Sequence, residues 1–341
     1  MKHQSNILAL KYRPLNFQDL IGQEYLVETI QKSIQQNKIP NAYIFTGIRG
    51  VGKTTTARIV AKMLNCTVFD KNNNPDLINC EQAKAITEDR HPDVIEIDAA
   101  SNTSVENARE IIENVKYNPV LGKYKVYIVD EVHMLSKSAF NALLKTLEEP
   151  PPHSKFIFAT TEISKVPITI LSRCQRFDLR RVEKKTLSDF LKSIAKKEDI
   201  TISNEALNLI VKASDGSVRD SLSILDQANV FKSQKEIQVE EIVNMLGFAR
   251  QGDLYELSKC ILDNNLSKLI SMLDDMYQRG SETSKIIEDM MNIINWSCKL
   301  KINQELIKDE FLTEEDKNFA SYVIQFDLSL IHISAPTRLG M

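Results

Sequence analysis

The stretch GIRGVGKT, Gly47 to Thr54, decides the fold. It fits the phosphate-binding loop pattern, and its flanks are those the loop requires. Upstream, Ala42-Tyr43-Ile44-Phe45 is a short aromatic and β-branched run that predicts a buried strand; downstream, Thr55 to Leu64 has apolar residues at helical spacing. Strand, loop and helix in this order predict a nucleoside triphosphate site. Gly47, Gly50 and Gly52, with Val51 among them, let backbone N–H groups turn onto phosphate oxygens. Lys53 reaches the β and γ phosphates, the Thr54 hydroxyl is a magnesium ligand, and Thr55 borders the same site.

Further along, Lys125-Val126-Tyr127-Ile128-Val129-Asp130-Glu131 is a buried strand ending in two carboxylates. In an open parallel sheet, ligands gather at that end of the strands. One carboxylate can hold magnesium and the next can orient or deprotonate the attacking water, which is a hydrolytic arrangement. Asp93 to Asp98 and Phe156 to Thr161 predict two more strands. A helix begins near Val105 with Ser104 as cap, and another runs from Ser136 to Glu149, stopped by Pro150-Pro151-Pro152. The alternation predicts an α/β domain with a mostly parallel sheet.

A chain of 341 residues, 43% of them hydrophobic, exceeds one core and predicts two or three domains. No apolar run is long enough to span a bilayer and Met1 to Ser5 is polar, so a soluble cytoplasmic protein is expected, with no membrane partner. A net charge of −3 gives no global attraction to nucleic acid, so any DNA contact is local or arises on assembly. The five cysteines are scattered and odd in number, against a disulfide framework. Cys66, Cys80 and His91 could contribute to zinc, but a fourth ligand is missing.

Jointly, these motifs resemble the gamma/tau family of bacterial DNA polymerase III subunits, the ATPases of the sliding-clamp loader, within the AAA+ superfamily. The matching segments are Lys11 to Pro14, FQDLIGQ at Phe17 to Gln23, the phosphate loop, IEIDAAS at Ile95 to Ser101 and DEVHMLS at Asp130 to Ser136. FNALLKTLEEPP at Phe140 to Pro151, ILSRCQRF at Ile170 to Phe177 and GSVRDSLSILDQA at Gly216 to Ala228 follow. They cover roughly residues 8 to 230 in the family's order, which is more specific than a phosphate loop alone.

The resemblance implies a P-loop ATPase domain over 1–180, a helical lid over 181–240 and an all-helical collar over 241–330. The stretch 331–341 matches nothing in the family and is expected to be a non-native or disordered tail. It also implies ATP with Mg2+, held by Lys53, Thr54 and Asp130, and Glu131 as the residue that activates water. Thr161 takes the sensor-1 position, with Thr160 the close alternative. Arg173 matches the arginine finger that acts on a neighbour's ATP, and Arg219 the sensor-2 arginine that acts on ATP of its own chain. Tyr12, Arg13, Pro14, Ile21 and Gly22 border the adenine. The family's four-cysteine zinc module keeps Cys66 and Cys80 here, but Leu77 and Ala83 occupy the other two positions, so zinc is not expected.

The implied partners are other loader subunits in a hetero-pentamer with several copies of this chain, the sliding clamp, and primed DNA. Asn102, Thr103 and Ser104 are candidates for DNA phosphate contact, with capping of the following helix as the plain alternative. The implied function couples ATP binding and hydrolysis, a phosphoryl transfer to water, to opening the clamp and loading it during replication. Two other readings compete. A non-hydrolysing structural subunit is opposed by intact Lys53, Thr54, Asp130 and Glu131. A branch-migration helicase is opposed by Ser172-Arg173-Cys174 and the helical C-terminal pattern; a winged-helix domain after residue 240 would revive it.

Overall fold

Five short runs become one parallel sheet. In chain order the strands are β1 Ala42–Thr46, β2 Val94–Asp98, β3 Lys125–Asp130, β4 Ser154–Thr160 and β5 Gln175–Asp178. They lie in the order β2-β3-β4-β1-β5, and every neighbouring pair is parallel. β1 and β4 are buried along their whole length, as continuous apolar runs in a sheet covered on both faces should be. β5 has only Phe177 buried, and that polar edge kept it out of the apolar pattern that predicted the other four.

The computed structural model describes residues 7–69, 75–101, 105–231, 236–246, 251–278, 283–308, 312 and 314–325. Ser104 as a helix cap and the 331–341 tail therefore lie outside the described residues.

Alternation along the strands builds two cores. Tyr43, Phe45, Val126, Ile128 and Ile157 belong to one, together with Ala57, Val60, Ala61 and Leu64 of the Lys53–Asn65 helix. Ile44, Tyr127, Val129, Phe156 and Phe158 belong to the other, with Phe140, Leu143 and Leu147 of the Lys137–Glu148 helix and Ile111 and Val115 of the Val105–Val115 helix. Successive strand side chains point to opposite faces, so one five-residue run feeds both cores. Ser136 caps its helix as expected, its Oγ accepting the Ala139 N–H at 3.2 Å.

The described residues form two compact units, one drawn from 1–198 with 210–227 and the other from 199–209 with 228–341. The sheet belongs to the first. After it come the helices Lys184–Lys197, Asn204–Ala213 and Val218–Phe231, where a small helical bundle is expected. The purely helical expectation misses two strands, β6 Thr201–Ile202 and β7 Glu236–Ile237, which pair in parallel in the second unit. Two residues are too short to show a period. Every described element from Val239 onward is helical, so the described part of that region contains no winged-helix strand. Its core includes Leu254, Tyr255, Met276, Ile286, Ile293, Phe319 and Val323, with the Tyr255 and Phe319 rings stacked 4.2 Å apart. Among the described residues no helix is long and apolar enough to cross a membrane.

Candidate nucleotide site

The strand order places the chemistry. β4 lies between β1 and β3, so the loop after β1, the end of β3 and the end of β4 meet at one edge of the sheet. Register fixes this closely: Ile44, Phe158 and Val129 share one row across the three strands, and Asp130 and Glu131 follow directly.

The loop is shaped by close approach. Gly50 has φ +75°, and a Cβ there would sit 2.1 Å from Ser217 Oγ; Gly47 would place one 2.7 Å from the Leu179 carbonyl. Lys53 is only 5% exposed, and its Nζ donates to the Gly47 and Ile48 carbonyls at 3.0 and 2.9 Å. Burial pulls the Lys53 pKa down, against the opposing pull of Glu131 and Asp130. The Thr54 hydroxyl donates to Asp130 Oδ2 at 2.5 Å. Burial raises the Asp130 pKa above its ordinary value, more than the Thr54 hydroxyl and the Glu131 N–H lower it. A hydroxyl and a desolvated carboxylate in contact form an oxygen donor set suited to a hard divalent cation, which would offset that desolvation. These residues fit magnesium.

Glu131 sits at φ +46°, and its Oε2 accepts both the N–H and the hydroxyl of Thr161, at 3.2 and 3.0 Å. Thr160 instead meets His133 Nδ1 at 3.0 Å and accepts the Glu162 N–H. Lys53, Thr54, Asp130, Glu131 and Thr161 are thus gathered at one place. The Arg219 N–H donates to the Gly50 carbonyl at 3.2 Å, which seats the start of its helix on the loop.

The predicted adenine border is divided. Arg13 Nε donates to Thr55 Oγ1 at 3.3 Å, beside the loop helix. The Tyr12 hydroxyl instead donates to Glu198, which pushes its pKa up to about 12. Pro14, Ile21 and Gly22 are partly exposed, and Gly22 packs toward Val182. Arg173 makes its contacts away from the phosphate loop, with Thr169 O, Ser172 Oγ and, at 2.5 Å, Glu148. Asn102, Thr103 and Ser104 lie outside the described residues. Two residues escaped the sequence reading. Gln23, 4% exposed, bonds both ways with the Arg180 backbone and ties FQDLIGQ to the end of the sheet domain. His133 lay in plain view inside DEVHMLS, but its contacts join separate strands.

Cys66 and Cys80 are buried against Ala83 and Leu77, neither of which carries a donor atom. Burial, with the hydrogen bond to Cys80, pushes the Cys66 thiol up to about 12. Burial would raise Cys80 as well, but the N–H groups of Ala83, Thr67 and Gln82 and the Cys66 thiol outweigh it and pull it down. His91 is committed elsewhere, with Nε2 on Gln82 at 2.6 Å and Nδ1 accepting the Asp93 N–H. This donor set does not fit a four-ligand zinc ion.

Fold and site together define a P-loop nucleotide-binding protein of the AAA+ type. The Thermotoga maritima RuvB Holliday junction branch migration motor shares the fold, with a TM-score of 0.53 over 82% of this chain and 91% of that one, at 16% identity. Sequence comparison is more specific. Residues 22–183 match the family described as DNA polymerase III, delta subunit; 186–233 match the DNA polymerase III clamp loader subunit, ATPase lid domain; 237–331 match DNA polymerase III subunits gamma and tau domain III. DNA polymerase III subunit gamma of Buchnera aphidicola subsp. Schizaphis graminum is 39% identical over 96% of this chain and 90% of its own length. Subunit tau of Bacillus subtilis is 45% identical over 82% of this chain and 49% of its own, and that of Escherichia coli 39% over 91% and 48%. The chain belongs to the gamma/tau family of DNA polymerase III subunits. It spans about half the length of these tau relatives. The family implies binding of ATP and Mg2+.

Proposed function

We propose that this chain is an ATP-hydrolysing subunit of a bacterial sliding-clamp loader, acting in the cytoplasm with other loader subunits, the clamp and primed DNA. The observation that carries the reading is the convergence of Lys53, Thr54, Asp130, Glu131 and Thr161 at the ends of β1, β3 and β4, in a chain of the gamma/tau family. Thr54 and Asp130 would hold magnesium, which when bound would supply positive charge to the phosphates. Lys53 exchanges its loop carbonyls for phosphate oxygens. Glu131 takes a proton from water as the water oxygen bonds to the γ phosphorus; the bond to the bridging oxygen breaks and its electron pair leaves on ADP. Thr161 holds that carboxylate.

Arg219 opens the helix seated on the loop, which supports a role at the γ phosphate of its own chain; Tyr12, Arg13, Pro14, Ile21 and Gly22 border the base. Arg173 is exposed and paired with Glu148, which supports its action on a neighbour's nucleotide. The ATPase, lid and collar division at 180 and 240 is supported by the spans of the three family matches, with the collar as the assembling part of a hetero-pentamer. Asn102 to Ser104 remain the proposed DNA phosphate contacts. The apolar packing around Cys66 and Cys80 supports a zinc-free insertion, and stoichiometric zinc by metal analysis would overturn that part.

Mixing tests the shared site. Lys53→Ala and Arg173→Ala chains, each assembled alone with the other loader subunits, should lose most ATP hydrolysis, by about a thousandfold for the arginine. Assembled together, they should regain activity, because the Lys53→Ala chain lends its arginine to the intact loop of the other. Mixtures as inactive as either parent would reject action in trans.

A further inference from the structure

Glu131 is held in a conformation its backbone resists. A left-handed φ is unfavourable for a residue with a Cβ, and Glu131 adopts +46°. The turn that follows secures it, with the Met134 N–H donating to the Glu131 carbonyl at 2.9 Å. The side chain is secured separately. All the carboxylate contacts described fall on Oε2: the two Thr161 donors and the His133 ring, whose Nδ1 lies 3.4 Å away. That Nδ1 is also 3.0 Å from Thr160 Oγ1, and Nε2 is 3.5 Å from Glu162 Oε1. Glu162 is itself anchored by Lys165 at 2.8 Å. The His133 side chain is only 6% exposed. A buried imidazole therefore spans from the carboxyl end of β3 to that of β4, with Glu131 at one nitrogen and Glu162 at the other.

We infer that His133 is a positioning residue for ATP hydrolysis: its Nδ1 edge fixes the Glu131 carboxylate through Oε2 against the end of β4, leaving Oε1 to take the proton of the attacking water. This rests on the role of Glu131 proposed above. Thr161 alone supplies donors from one residue, whereas the ring ties the carboxylate to Thr160 and Glu162 as well, so the carboxylate is referenced to the strand between the phosphate loop and itself. Displacement of a reacting group by an ångström is enough to slow chemistry severely without weakening binding. A ring that only filled space would be replaceable by any side chain of its volume.

The test compares His133→Leu with His133→Asn in the full chain within the assembled loader. Leucine fills the volume without a polar edge, whereas the asparagine amide replaces Nδ1 and omits Nε2. His133→Leu should lower kcat by about tenfold or more, with KM and the Kd of a fluorescent ATP analogue near the parental values. His133→Asn should recover most of the turnover. A His133→Leu variant with parental kcat would overturn the assignment, as would equal losses in both variants, or a rise in Kd large enough to account for the loss. Glu131→Gln in the same assay separates the two levels. If it hydrolyses ATP at the parental rate, the role of Glu131 fails and that of His133 falls with it; if it is inactive while His133→Leu is not slowed, only the His133 assignment fails.

Discussion

Asp93 carries more of the fold than its place at the start of a predicted strand suggests. It is 1% exposed, and its carboxylate accepts the N–H groups of Val120, Leu121 and Gly122, each at 2.7 Å. It thereby pins the loop that leads into β3 and so to Asp130. Burial alone would raise its pKa, but those three donors, helped by His91, hold it below the usual carboxylate value. A depressed folded-state pKa means the stabilisation is complete above the unfolded value, near pH 4, and is lost as pH falls through the folded one. The urea midpoint of the parent should therefore fall more steeply below about pH 4 than that of Asp93→Asn, which has no such carboxylate to protonate. At pH 7, Asp93→Ala should cost about 3 kcal/mol, because it leaves several N–H groups without their acceptor. Parallel pH curves for parent and Asp93→Asn would contradict this. The sequence shows an acidic residue before an apolar run; only the fold brings it to a loop 27 to 29 residues away. The position of His133 was hidden for the same reason, since two of its partners, Thr160 and Glu162, lie at or just past the end of a different strand.

At the scale of elements, continuous apolar runs made β1, β3 and β4 readable, because a strand buried on both faces is apolar throughout, while β2 was readable from Val94, Ile95 and Ile97 although Glu96 and Asp98 are exposed. β5, β6 and β7 were not readable, being a polar edge or too short for a period. The phosphate loop itself was readable as a motif, but its contact with the Val218–Phe231 helix was not. Ser217 Oγ accepts the Asp220 N–H at 3.2 Å, and the Arg219 N–H donates to Gly50 O. A methyl group on Gly50 would strike that capping hydroxyl. Gly50→Ala should cost about 2 kcal/mol from the positive φ and the clash together. Ser217→Ala alone should cost about 1 kcal/mol through the lost cap. Since the clash and the cap involve one oxygen, the double variant should be less destabilised than the sum by about 1 kcal/mol in a urea double-mutant cycle. Strict additivity would show that loop and helix do not meet through Ser217.

At the scale of the whole molecule, the proposed function has one chain hold the pieces of two half-sites. The loop, Asp130, Glu131 and Thr161 are gathered on one sheet edge, while Arg173 is parked on Glu148 and touches none of them. A site completed by a neighbour makes hydrolysis a property of the assembly, and an assembly that engages a clamp and primed DNA should feel both. Family resemblance, and not composition, is what points to this reading: the net charge of −3 gives no hint of DNA. The decisive measurement is steady-state ATP hydrolysis by the chain assembled with its loader partners, with and without clamp and primed DNA. Clamp and primed DNA together should raise the rate well above that of the loader alone, and Lys53→Ala should abolish the increase. A rate indifferent to clamp and DNA, or one that survives Lys53→Ala, would contradict the account.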